Sequence, residues 1–217
     1  MDSRITVVGN RHSYLSNVLL EMRSEELQQD RMRFRLNLER TGEILAYEIS
    51  KELSYVPQTV RTPLGELEMH ILENQPVVVS IMRAGLPFHQ GFLRIFDKAD
   101  SGFISAYRHH QRGSNEFEVR IEYMATPELG GRDLILVDPM IATGKSIVLA
   151  YREMLEKGEP ERVFIAGVVG SDEGVEYIHR HIPKARFFLA GLDHELTARA
   201  YIVPGLGDAG DLAYGPK

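Results

Sequence analysis

Leu134-Ile-Leu-Val-Asp-Pro-Met-Ile-Ala-Thr-Gly-Lys-Ser-Ile147 reads as a buried strand, a tight turn and the head of a helix. Four apolar residues, Leu134 to Val137, make the strand run. Asp138 stands where that strand ends. Pro139, Met140, Ile141 and Ala142 carry the turn. Thr143, Gly144, Lys145 and Ser146 then offer backbone N–H groups, two hydroxyls and an ammonium at the start of the next helix. A helix N-terminus favours anions through its free N–H groups and its dipole. A carboxylate just upstream suits sugar hydroxyls, or a metal carried by the ligand. The stretch has the form of a ribose-phosphate cradle.

Two rival readings share these letters. A Walker A loop needs Gly-x-x-x-x-Gly-Lys-Ser/Thr. Gly144-Lys145-Ser146 supplies the end, but Pro139 occupies the first glycine position. Proline lacks an N–H and has a fixed φ, so it cannot form that part of a phosphate nest. That weakens a nucleotide-kinase reading. The bland reading is an ordinary strand–helix turn with a polar cap.

The 217 residues suit a single α/β domain spanning 1–217, and 43% hydrophobic content is normal for a globular core. There is no cysteine, so disulfides, thiolate metal sites and cysteine nucleophiles are excluded. No apolar stretch is long enough to span a membrane, and Met1-Asp-Ser-Arg-Ile lacks a signal-peptide core. The expected location is cytoplasmic, with no membrane partner. A net charge of −6 argues against a nucleic-acid partner, which needs a basic face. An anionic substrate would be held by a few local Arg and Lys residues.

Leu15 to Leu53, rich in Glu, Arg, Leu and Gln and without proline, predicts a long helical segment in which Gly42 marks a break or close contact. Its Arg31, Arg33, Arg35 and Arg40 read mostly as a solvated face. Pro57 and Pro63-Leu-Gly65 predict a loop. Val77 to Ile81 is a strand by its β-branched run, Leu86 to Phe96 a helix, and Phe103 to Tyr107 a strand ending at Arg108. Glu116 to Tyr123 alternates, with Phe117, Val119, Ile121 and Tyr123 on one face. With the loop Gln111 to Asn115, residues 107–124 predict a projecting β arm. Gly158 and Pro160 stop the helix after the cradle. Val163 to Val169, Gly174 to His181 and Phe187 to Leu192 continue as strand, helix, strand. The alternation predicts a mostly parallel sheet with helices on both faces. Ligands then bind at the carboxyl ends of the strands, and Arg83, Arg108 and Asp138 should converge there. The histidines show no metal-site spacing, His109 and His110 lying on a loop and His179 and His181 at i and i+2.

The tail Tyr201-Ile-Val-Pro-Gly-Leu-Gly-Asp-Ala-Gly-Asp211 is rich in glycine, which permits backbone conformations closed to other residues. Its apolar Tyr201, Ile202, Val203 and Leu206 favour an ordered binding loop over a loose terminus.

Three segments together make the chain resemble uracil phosphoribosyltransferases. They are Ile81-Met-Arg-Ala-Gly-Leu86, Val137-Asp-Pro-Met-Ile-Ala-Thr-Gly144 with Ser146, and the tail from Tyr201 to Asp211. Arg33-Phe-Arg35 is also similar, and the resemblance runs from about Leu15 to Gly215. It implies transfer of a phosphoribosyl group from phosphoribosyl pyrophosphate (PRPP) to uracil, giving UMP and pyrophosphate, with Mg²⁺ bound mainly through PRPP. It implies Arg83 and Arg108 on the pyrophosphate, Asp138 on the ribose hydroxyls, and the turn Pro139 to Ser146, chiefly Ala142 to Ser146, around the 5′-phosphate. Tyr201, Ile202, Gly207 and Ala209 would meet uracil in a C-terminal hood, with Asp208 between base and PRPP. It also implies a strained backbone, of the non-proline cis kind, within Met82 to Gly85. A homodimer or larger homo-oligomer is expected.

Two departures stand out. Lys145 replaces a small residue, and Thr197-Ala-Arg199 replaces an Asn-containing run. Because of Lys145 a catalytically impaired relative stays open beside the enzyme. An RNA-binding pyrimidine regulator of the same fold is the other alternative, and it would show a basic face that the net charge of −6 does not suggest.

Overall fold

The sequence's apolar runs assemble into one eight-stranded sheet, and their residue alternation decides which helices cover which face. The computed structural model describes residues 4–110 and 117–216, with side chains from 107 to 120 outside that description. The elements in chain order are β1 (Ile5–Val7), α1 (Leu15–Arg23), α2 (Arg31–Ser50), β2 (Tyr55–Thr62), β3 (Gly65–Leu72), β4 (Val77–Met82), α3 (Gly85–Ile95), β5 (Asp100–His110), β6 (Phe117–Ala125), β7 (Leu134–Val137), β8 (Met140–Ile141), α4 (Lys145–Met154), β9 (Val163–Ser171), α5 (Asp172–His181), β10 (Ala185–Asp193), β11 (Glu195–Leu196), β12 (Ile202–Val203) and α6 (Ala209–Tyr214). The sheet order is β1-β10-β9-β7-β4-β5-β6, with β8 beside β9. Only the β5–β6 pair is antiparallel. The expected mostly parallel sheet is therefore present.

Successive strand residues point to opposite faces. Val78, Ile135, Val137, Phe164 and Phe188 pack beneath α1, α2, α3 and the tail. Val79, Leu134, Leu136, Ile165 and Phe187 pack beneath α4 and α5. α2 and α3 cross at main-chain contact. A Cβ on Gly42 would strike the Phe88 carbonyl, and one on Gly91 would strike the Glu39 carbonyl. Gly42 thus marks a close contact and no break.

Four expectations need correction. The N-terminal helical segment is two helices, not one. α1 ends at Ser24, whose backbone turns extended, and Asp30 caps α2 by accepting from the Arg33 N–H at 3.0 Å. Second, the loop expected at Pro57–Gly65 is a hairpin, with Tyr55 opposite Leu72 through to Thr62 opposite Gly65. Thr62 Oγ1 closes its turn, accepting from Leu64 and Gly65 N–H. Leu67, Met69 and Ile71 alternate with Glu66, Glu68 and His70, a strand signal that the prolines obscured. Third, β5 continues to His110, so Arg108 lies inside a strand rather than just after one. His109 and His110 likewise lie in the strand and not on a loop; the side chains of all three, and the loop Gln111–Asn115, lie outside the described residues. Fourth, the alternation in β6 breaks. Ser105 faces Tyr123 but Ala106 faces Ile121, so Glu122 is the extra residue of a bulge. Met124 turns inward instead, and Tyr123 is 55% exposed.

His89 on α3 is fully buried, its ring centroid 5.1 Å from that of Phe103. Burial pushes its pKa below the ordinary 6.5. The unfolded chain takes up this proton near pH 6.5 while the folded ring resists it. The His89 contribution to stability is therefore complete above pH 6.5 and is lost as pH falls through the folded value. Melting scans from pH 7.5 to 5 should show the wild type losing stability faster than a His89→Phe variant; parallel curves would refute this.

Candidate functional site

β4 and β7 are neighbours in parallel register, Val77 against Leu134 and Ser80 against Val137. Arg83 and Asp138, which follow those strands, therefore stand side by side at the sheet's carboxyl edge. The edge is tight. A Cβ on Gly85 would lie 2.5 Å from Ser80 Oγ and 3.6 Å from the Val137 carbonyl oxygen. Ser80 Oγ is buried there without a hydrogen-bond partner among the described residues. The Met82–Arg83 peptide is cis, as the resemblance implies.

The cradle turn is built on β9. Asp138 N–H donates to Ala166 O at 3.1 Å, and Val168 and Val169 N–H both donate to Pro139 O at 3.0 Å. Met140 and Ile141 form β8, paired with Val169 and Gly170. Ile141 and Ala142 are buried, so their side chains serve the core. Asp138 Oδ1 accepts from Met140 N–H at 3.2 Å, folding the carboxylate over its own turn. Gly144 caps α4 with φ of 72°, and Lys145 opens the helix. The strand–turn–helix reading of Leu134 to Ser146 is thus the observed geometry.

α5 backs this turn. Ser171 Oγ donates to Ala142 O and accepts from Gly174 N–H at 2.9 Å. A Cβ on Gly174 would strike the Ala142 carbonyl, and one on Gly144 would lie 2.6 Å from the Gly174 carbonyl. Ser171 and Gly174 were not singled out from the sequence. A Ser-x-x-Gly at a strand end reads as an ordinary N-cap, and its second role needs the fold.

The tail is ordered, as expected, but it is not all loop. β11 and β12 pair, Glu195 with Val203 and Leu196 with Ile202. The departure Thr197-Ala-Arg199 forms the exposed turn between them, closed by Thr197 N–H to Tyr201 O at 2.8 Å. Val203–Pro204 is cis. Gly205 and Gly207 have φ of 56° and 93°, conformations favouring glycine. Ala209 opens α6, and Asp208 caps it by accepting from Gly210 and Asp211 N–H at 2.9 and 3.0 Å. Ile202 and Ala209 are buried, whereas Tyr201, Gly207 and Asp208 are exposed.

The tail reaches back over the strand edge. Arg83 Nη2 donates to Asp211 Oδ1 at 2.7 Å, and Nη1 to Gly215 O at 3.2 Å. Arg35 donates to Ala213 O at 2.7 Å and lies over the Tyr214 ring. Arg33 forms a two-pronged pair with Glu21 at 2.7 and 2.8 Å, which holds the Glu21 carboxyl down to about 2. These two arginines are structural joints rather than members of a solvated face. A cavity of about 790 Å³ lies between the start of α2 and the tail, lined by Arg31, Arg35, Gly207, Asp208, Asp211 and other residues, with none from 138–146 among them. Arg83 thus joins the tail, and Asp138 joins the cradle; the side chain of Arg108 lies outside the described residues.

A parallel sheet, a helix N-terminus backed by main chain and an arginine loop at the same edge define a site suited to a phosphorylated sugar. The chain belongs to the uracil phosphoribosyltransferase family, whose model matches residues 9–216. It is 47% identical over 211 residues to the uracil phosphoribosyltransferase of Porphyromonas gingivalis, covering 97% of both chains. It is 35% identical to that of Pyrococcus furiosus, covering 93% of this chain and 86% of the other. Among solved structures it is similar to the AQ2163 protein of Aquifex aeolicus, with TM-score 0.86 and 31% identity, covering 97% of this chain and 98% of that one.

Gly144→Ala should weaken the cradle. A left-handed alanine costs about 1–2 kcal/mol, and its Cβ would crowd Gly174 and Ile178. Urea unfolding should show that loss, and a PRPP titration should show weaker binding. Unchanged values in both would refute the packing argument.

Proposed function

We propose that this protein transfers the phosphoribosyl group of PRPP to uracil, releasing UMP and pyrophosphate. The observation that carries the reading is the Arg83–Asp211 ion pair, which fastens the tail to the arginine loop beside the cradle. Base-reading main chain and pyrophosphate-binding loop then share one edge of the sheet. Thr143 to Ser146 would bind the 5′-phosphate at the head of α4, and Asp138 the ribose hydroxyls. Arg83, with Arg108 as its expected companion, would bind the pyrophosphate. Main-chain groups at Ile202, Gly207 and Ala209 would read uracil, with Tyr201 beside it and Asp208 between base and PRPP.

The chemistry asks for alignment more than for a covalent intermediate. A uracil ring nitrogen forms a bond to the anomeric carbon as the bond from that carbon to pyrophosphate oxygen breaks, and the ring nitrogen gives up its proton. Positive charge develops on the sugar and negative charge on the leaving group. Arginine beside the departing oxygens stabilises that charge, and a covered site keeps water off PRPP. Among the described residues no three acidic or histidine side chains gather as a metal site. The Asp138 carboxylate at the strand end fits a Mg²⁺ ion brought by PRPP. When bound, that ion would neutralise pyrophosphate charge.

A UMP-forming assay with uracil, cytosine and orotate tests the reading. Uracil should be used well. Cytosine presents a donor where uracil has an acceptor, and a main-chain site should disfavour it by on the order of 10⁴. Asp138→Asn should nearly abolish turnover with the fold intact. Comparable use of cytosine, or full activity in Asp138→Asn, would overturn the assignment. RNA binding without UMP formation would favour the regulator instead.

The same reading includes a homodimer. β2 and β3 pair only with each other among the described residues, and Leu64 is 99% exposed. Tyr55, Leu67, Met69 and Ile71 are exposed on the same hairpin. An isolated two-stranded hairpin is at best marginally stable in water, so a second copy of this chain is the expected cover. Light scattering should give a dimer or multiple of it, and Leu67→Asp with Met69→Asp should shift it to monomer. A wild-type monomer would refute this.

A further inference from the structure

Gly205 is held by both of its main-chain polar groups. Its N–H donates to Asp193 Oδ2 at 2.8 Å, and its carbonyl accepts from Arg23 Nη1 at 2.9 Å. Arg23 and Asp193 are themselves joined in a two-pronged pair, Nη1 to Oδ2 at 2.7 Å and Nη2 to Oδ1 at 3.0 Å. Arg23 is the last residue of α1, and Asp193 the last of β10. The guanidinium passes where Gly191 lacks a side chain, since a Cβ there would lie 2.7 Å from Nη2. One residue further on, the Gln28 amide completes the grip. Oriented so that its nitrogen faces two carbonyls, it donates to Met22 O at 3.0 Å and Leu206 O at 2.7 Å.

We propose that Arg23, Asp193 and Gln28 form a clamp that sets the position of the base-reading loop 205–209, and are positioning residues for uracil. None of them belongs to the cradle or to the arginine loop. Two successive residues, Gly205 and Leu206, are fixed immediately before Gly207, where the main chain would meet the base. Gly205 has no side chain with which to brace itself, and its left-handed φ leaves the peptide's direction to whatever binds it. Asp193 is 7% exposed, so its partners decide where it points. A lysine at position 23 keeps the charge but not the fork, and it cannot hold carboxylate and carbonyl in one plane. The clamp therefore acts on base binding and leaves phosphate binding alone.

The inference rests on the uracil reading of the tail, so its test has two arms. In the kinetic arm, Arg23→Lys should raise KM for uracil by on the order of tenfold to a hundredfold, with KM for PRPP unchanged. The preference for uracil over cytosine should fall. In the structural arm, amide exchange of Gly205 and Gly207 in ligand-free protein should speed up in Arg23→Lys, while amides of β9 and α4 keep their protection. Gln28→Ala, a milder change at a half-buried side chain between α1 and α2, should show the same pattern at smaller size if the first variant folds poorly. Exchange at Gly205 and Gly207 equal to wild type in both variants would overturn the clamp. So would KM values for uracil and PRPP rising together, the mark of a merely structural joint. A wild-type protein that makes no UMP would sink the uracil reading, and the exchange arm would still decide the clamp.

Discussion

Gly144 and Gly174 face each other with no room for a side chain on either. The cradle turn and the first turn of α5 are in main-chain contact, and the rest of the site inherits its position from that contact. Ser171 ties the Ala142 carbonyl to the same helix start. The turn can be this tight because β9 lies directly beneath it, accepting Asp138 N–H and donating twice to Pro139 O. A strand buried on both faces cannot shift register without breaking the packing on each. The cradle is therefore fixed by hydrophobic burial, transmitted through backbone hydrogen bonds.

Sheet and cradle were legible because both are local patterns. Val77 to Ile81, Leu134 to Val137 and Val163 to Val169 are continuous apolar runs of strand length, and Gly158 and Pro160 are plain stop signals. β1 was not legible, because Ile5–Val7 is too short to show a period and becomes a strand only by lying along Phe187–Leu189. The β2–β3 hairpin was hidden by Pro57 and Pro63, although an edge strand tolerates proline where no ladder bond is needed. The break between α1 and α2 carried only the Asp30 cap as a sign, within a segment whose composition is helical throughout. Arg108 was misplaced because the end of a strand depends on its partner, and β6 extends β5 past the point where β4 stops pairing with it.

The site's supports were the least legible part. Arg23, Asp193, Ser171 and Gly191 are unremarkable letters, and what they do depends on contacts between residues far apart in the chain. Arg23 and Asp193 are 170 positions apart. No periodicity or short motif links them. Glycine was the one hint available. Gly42, Gly91, Gly144, Gly174 and Gly191 each sit where another chain segment passes too close for a Cβ. A glycine inside a helix or strand pattern signals such an approach without naming the segment that approaches.

The proposed reading asks a chain of net charge −6 to accept a polyanion. Arg83 meets Asp211, Arg23 meets Asp193 and Arg33 meets Glu21, so each of these arginines is already paired. The pairs differ in burial. The Asp193 side chain is 9% exposed and that of Asp211 41%. An exposed pair contributes little and exchanges partners readily, whereas a buried one resists being broken because either charge would be left unpaired. On the proposed reading Arg83 would trade a single carboxylate for a more highly charged pyrophosphate, while Arg23 would keep its partner. One end of the tail would then be anchored, and the other held by a contact that the substrate itself replaces.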